Sequence, residues 1–201
     1  MGMVEENRQL APSVVAELLR DGMKRGQRPY LTITSGSMRP LLHIGDEVQL
    51  EPVYPAELQV GDIVTVVAPV TLLTHRFYGW IEREGENWLL TRGDRFLTFD
   101  SLWHPEHLVG RVFARRRQHQ RLLLRGEGRS GWIGRHVALI AAAEGHLFSP
   151  PNTPEGLPSP PLPRQSASSL LVVQIRRLIY LWITLVVGLL GSKSKSRKEK
   201  S

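Results

Sequence analysis

The chain has 201 residues, 41% of them hydrophobic and 22% charged, which is enough for one globular domain with extensions. It contains no Cys, which excludes disulfides, thiolate metal sites and a cysteine nucleophile. The formal net charge of +7 favours an anionic partner, but lysine occurs only at Lys24, Lys193, Lys195, Lys198 and Lys200, so every cation from Arg25 to Ser192 is Arg or His.

Residues 1–28 form the first unit. Met1 to Leu10 is polar and acidic, with no apolar run behind a basic start, so no secretory signal peptide is expected. From Ser13 to Gly26 the spacing of Val14, Val15, Leu18, Leu19 and Met23 predicts an amphipathic helix, with Ser13 placed to cap it and Gly26 to end it. Residues 29–116 read as strands. "YLTIT", "DEVQLEPV", "DIVTVVAPV", "LLTHRFYGWI", "NWLLTRG" and "HLVGRVFA" are short runs rich in β-branched and aromatic residues, separated by Gly, Asp, Pro and Asn. A mainly β domain, an antiparallel sheet or barrel, is expected. Gly-Asp pairs recur at Gly45-Asp46, Gly61-Asp62 and Gly93-Asp94, where Gly permits a positive φ and Asp can bond its own backbone, so they predict turns.

Residues 117–148 continue a basic stretch that begins after Val112, "ARRRQHQRLLLRGEGR". No aromatic residues interleave to stack on bases, so a solvated or lipid-facing rim is expected and no nucleic-acid partner. A short helix is predicted over Gly134 to Phe148. Residues 149–168 hold half of the 14 prolines and read as an extended spacer. In residues 169–201 the uninterrupted apolar run Leu178–Gly191 is shorter than the ~20 residues of a straight span. Starting at Leu170 lengthens it but includes Gln174, Arg176 and Arg177. The segment is expected to be a membrane-associating helix, spanning or interfacial, with the lysines against anionic headgroups. The side of the membrane on which the chain works stays open.

The stretch "TSGSMRPLLHIGDEV", Thr34 to Val48, carries the candidate chemistry. A serine hydroxyl is a poor nucleophile until a base takes its proton, and with lysine missing from the strand-rich region the base must be histidine. Of the seven histidines, His75 lies inside an apolar strand pattern, where a sheet would hold its ring in place. His104 and His107 in "WHPEH" could suggest a metal pair, but Pro105 spoils the helical arrangement and no third ligand is evident, so no metal is expected. An imidazole base needs a carboxylate behind it, for which Asp94 and Asp100 both stand on the segment after "LLTRG". For the oxyanion, the backbone N–H of Ser37 and the hydroxyl of Ser35 are candidate donors, Gly36 lets a substrate approach, and strand alternation would put residues 35 and 37 on one face.

The blocks "SGSMRP" then "GDEV", "VGDIV", "THR", "TRGD" with an Asp six residues on, and "VGRV" follow one another between about Leu31 and Val112. In that order they resemble type I signal peptidases of the archaeal and endoplasmic-reticulum kind. The resemblance implies a signal-peptidase-like β domain in which Ser37 is the nucleophile, His75 the base and Asp100 the triad carboxylate, with Asp94 in support. It implies precursor or signal peptides as substrates and no cofactor. Three features depart from the pattern: no N-terminal anchor is seen, Arg95-Phe96 replace paired asparagines, and the Pro-rich spacer and basic C-terminus have no counterpart.

The expected function is therefore that of a membrane-associated serine endopeptidase. The alternative is a non-catalytic binding or maturation accessory on the same fold. A self-cleaving repressor relative is disfavoured because Met1 to Gln27 leaves no room for a helix-turn-helix domain.

Overall fold

The computed structural model describes residues 10–96, 99–124 and 182. The helix α1 spans Pro12–Lys24. Pro12, with φ preset and no N–H to lose, occupies the first helical position, and Ala11 stands at the cap without a side-chain bond, so Ser13 falls two residues past the cap it was expected to form. The C-terminus does end at Gly26, whose φ is 77°. Gly26 N–H bonds Met23 O at 2.9 Å and Gln27 N–H bonds Gly22 O at 3.0 Å, the paired closure that a left-handed residue allows. Ala16, Leu19 and Met23 are buried against the sheet.

Seven strands follow among the described residues: β1 Tyr30–Thr32, β2 Glu47–Glu51, β3 Ile63–Val67, β4 Leu72–Arg83, β5 Glu86–Arg92, β6 Leu108–Arg117 and β7 Gln120–Leu123. The first six fall within the six apolar runs or extend them. All pairings are antiparallel, in the order β1-β2-β6-β3-β4-β5, with β7 also on β6. The mainly β expectation is met by a sheet with one N-terminal helix. One core lies between α1, the sheet and the segment carrying Met38, Leu41 and Leu42; a second gathers Leu58, Val64, Val66, Phe77, Leu89 and Leu108.

The described part of the basic stretch after Val112 is a hairpin: β6 runs through residues 116 and 117 and returns as β7, with Arg116 and residues 118–121 exposed and the rest built into the sheet. Arg115 is buried and donates to Leu41 O at 2.9 Å, while Arg117 grips Asp46 at 2.6 and 2.7 Å. Cross-strand carboxylates, which local composition does not reveal, are the reason.

The same arrangement explains the three Gly-Asp turns and the use of Arg in place of Lys. Asp46 pairs with Arg117, Asp62 with Arg111 at 3.2 Å, and Asp94 with Arg76 at 2.6 and 2.7 Å. Each turn is tied to the sheet by an arginine. A planar fork can satisfy a buried carboxylate with two parallel bonds, which a lysine ammonium cannot. The expected helix over residues 134–148, the Pro-rich spacer, the lysine tail, His136 and His146 lie outside the described residues, as does the apolar C-terminal segment apart from Trp182, which is helical.

Candidate active site

His75 sits on β4 opposite Val64 of β3 and is 2% exposed. Its Nδ1 lies 2.7 Å from Asp100 Oδ2. An ionised carboxylate only accepts, so Nδ1–H is the donor and, in the neutral ring, Nε2 is the acceptor. That Nε2 is buried and makes no hydrogen bond to the described residues.

Asp100 reaches His75 because the chain folds back along β5 after the Gly93 turn. Asp100 N–H donates to Thr91 O at 2.9 Å, and Trp103 exchanges two backbone bonds with Leu89 at 2.8 and 3.1 Å. The hydroxyl of Thr91 donates to Asp100 Oδ2 at 2.6 Å and accepts from Trp103 Nε1 at 3.0 Å. A line of bonds, Trp103 to Thr91 to Asp100 to His75, thus orients the imidazole. A bulge in the β4–β5 pairing between Phe77 and Gly79 re-aims Tyr78, whose ring packs edge-on to Phe99 beside Asp100 at 5.3 Å.

Asp94, the other candidate, gives its carboxylate to Arg76, while His75 Nδ1 takes that of Asp100. Asp94 forms a two-pronged pair with Arg76, both side chains being 1–2% exposed, and Arg76 also donates to Gly61 O at 2.8 Å. It secures the turn next to the site.

Ser37 lies in the turn region after β1 and is buried; β1 ends at Thr32, so residues 35–37 are not on a strand and strand alternation does not align them. A direct bond does: Ser35 Oγ and Ser37 Oγ are 3.0 Å apart. Ser37 is tied to the other side of the site by Arg95 N–H, which donates to Ser37 O at 2.8 Å. Gly93 marks where the two sides meet. A Cβ built on it would lie 3.0 Å from His75 Nε2 and 3.0 Å from Ser37 Cβ, so those two atoms are separated by no more than twice that distance. The structure brings Ser37, His75 and Asp100 together without a Ser37–His75 hydrogen bond. Gly36 is next to Ser37, with the Arg39 side chain over it at 3.4 Å from a built Cβ.

A cavity of about 480 Å³ opens at Ser35 and Ser37. Its walls are the continuation of β1, residues 31–35, and the β3–β4 turn with the start of β4, residues 70–74; Leu10, Pro12 and Val15 close one end. β1 is an edge strand, so the wall it starts offers backbone groups to an extended chain.

Thr91 and Trp103 escaped the reading of the sequence, and Gly93 was read only as part of a turn. Thr91 and Gly93 stand within "TRGD", which pointed to the aspartates only, and nothing local marks Trp103. His104 and His107 turn to separate partners: His104 accepts from Glu106 N–H at 3.5 Å and packs on Trp88, whereas His107 Nδ1 lies 2.8 Å from Val67 O. Among the described residues no three His, Asp or Glu side chains form a metal-binding group, and no helix is long and apolar enough to cross a membrane. No family model and no curated protein matches the chain.

Proposed function

We propose that the chain is a serine endopeptidase of the signal-peptidase type, which cleaves precursor or signal peptides through an acyl-enzyme. The observation that carries this reading is His75. One nitrogen is held by Asp100, while the other is buried, without a hydrogen-bond partner among the described residues, and beside Ser37. A buried acceptor left in that state calls for an explanation, and a general base waiting for its proton supplies one.

An extended peptide lies in the cavity between residues 31–35 and 70–74 with its scissile carbonyl at Ser37. Ser37 Oγ turns about χ1 from Ser35 toward Nε2, gives up its proton and attacks the carbonyl carbon. The same rotation frees the Ser35 hydroxyl, which with the Ser37 N–H donates to the oxyanion. His75 then protonates the leaving amine, and a water activated by the same nitrogen releases the acyl group. Asp100 stabilises the imidazolium. The apolar segment 169–191 holds the enzyme at the membrane, near its substrates.

The test is to incubate the full-length protein in detergent with precursor peptides and map cuts by mass spectrometry. Cleavage after small residues by wild type, lost on Ser37→Ala, is the expected result; no cleavage, or the same cuts by Ser37→Ala, overturns it. One observation favours the accessory reading: Ser37 Oγ bonds Ser35 and not His75. Full complementation of a deletion by Ser37→Ala would establish that reading instead.

A further inference from the structure

Phe96 is a large apolar ring on a turn where solvent is close; it is 48% exposed, yet its inner edge is tightly placed. A Cβ built on Gly93 would meet Phe96 Cδ2 at 2.9 Å, as well as His75 Nε2 and Ser37 Cβ at 3.0 Å. Three side chains therefore converge over one glycine, and any side chain there would push them apart. The ring meets the imidazole edge-on, with centroids 6.2 Å apart and planes at 69°. Its position is set by backbone bonds: Phe96 N–H to Gly93 O at 3.0 Å, and Arg95 N–H to Ser37 O at 2.8 Å. The Arg76–Asp94 pair anchors the same turn from behind.

An exposed turn could carry a polar residue here at little cost, and single exposed apolar rings are ordinary. What sets this one apart is its neighbour. His75 Nε2 is buried although it is the one ring atom a base must keep available. A polar acceptor this near the surface takes a water unless something covers it.

We infer that Phe96 is a positioning residue that covers Nε2 of His75, keeping bulk water off its lone pair and reserving it for the Ser37 hydroxyl. With Asp100 fixing Nδ1 on the far side, the ring edge also limits tilting of the imidazole. The catalytic part of this inference rests on His75 being the base; the covering of Nε2 does not.

The experiment is carbethoxylation of the full-length protein with diethyl pyrocarbonate, read peptide by peptide, with exposed His119 as internal reference. In wild type His75 should react at least about tenfold more slowly than His119. Phe96→Ala should close most of that gap, and Phe96→Leu should restore protection. Phe96→Gln, which keeps bulk but brings a polar group to Nε2, should also raise labelling. In peptide cleavage Phe96→Ala should lower kcat about two- to tenfold with KM unchanged. Wild-type labelling of His75 as fast as His119, or protection that survives both Phe96→Ala and Phe96→Gln, overturns the inference. Labelling needs no substrate. Protection without cleavage therefore counts against the protease reading alone, and cleavage without protection against Phe96 alone.

Discussion

His75 and Arg76 are neighbours on β4 whose side chains leave opposite faces of the strand, and each takes a carboxylate from the loop that follows β5. The Arg76 side is closed: Nε and one terminal nitrogen bind Asp94, and the other terminal nitrogen binds Gly61 O. The His75 side is half open, with Nδ1 on Asp100 and Nε2 turned to Ser37 and Phe96. The chemistry of the two side chains accounts for the contrast. A guanidinium is always charged and only donates, so a buried one whose donors are taken up, as at Arg76, acts as a rivet. An imidazole has one donor and one acceptor, so satisfying the donor leaves a site for proton transfer.

The largest effects should separate the two carboxylates. Asp100→Asn is expected to lower kcat by up to about 10⁴-fold, as loss of the orienting carboxylate does in other triads, with little change in unfolding. Asp94→Asn should do the reverse, costing ~3 kcal/mol in urea unfolding while kcat of the folded fraction stays within about tenfold. If Asp94→Asn proves the more damaging to kcat, the third member of the site is misassigned. The rivet can be tested further by replacing both partners. Arg76→Met with Asp94→Leu should recover most of the stability that either single change removes, because no buried charge is then stranded. Urea midpoints of the singles and the double measure this.

Thr91→Val should have a smaller effect on the open side. It removes one donor from Asp100 and the acceptor for Trp103 Nε1, and should lower kcat about tenfold with KM unchanged. The smallest effect concerns acid stability at the third arginine clamp. Burial pushes the Asp46 carboxyl up, but the Arg117 bonds and the His43 N–H outweigh it and hold the group below its ordinary value. Burial, aided by Arg117, holds His43 below its ordinary value too. In both cases the unfolded chain binds the proton more readily, so stability is full above the unfolded pKa and falls with pH. Tm should decline first as pH drops below ~6.5, the His43 step, and again below ~3.9, the Asp46 step. Asp46→Asn should remove the second step and leave the first.

Much of the fold was legible because strand and helix signals are local. Apolar runs bounded by turn residues located β1 to β6, and the near-3.6 period of Val14, Val15, Leu18, Leu19 and Met23 located α1. The β6–β7 hairpin was not, since its arginines read as solvated until their acidic partners on β2 and its flanking turn are seen across the sheet. The candidate site was legible as residue types, Ser37, His75 and two aspartates, but not as bonds.

The linear order of residues determined by itself where the backbone turns and which segments can be strands, because these depend on neighbours a few positions apart, and composition alone showed that the strand-rich region holds histidine but no lysine. Tertiary structure alone decided that Asp100 and not Asp94 meets His75, that Thr91 and Trp103 support it, and that Phe96 and Ser37 converge over Gly93. Those choices hang on strand register and on the return of one loop along β5, and a shift of a single residue in either would turn each side chain to the opposite face.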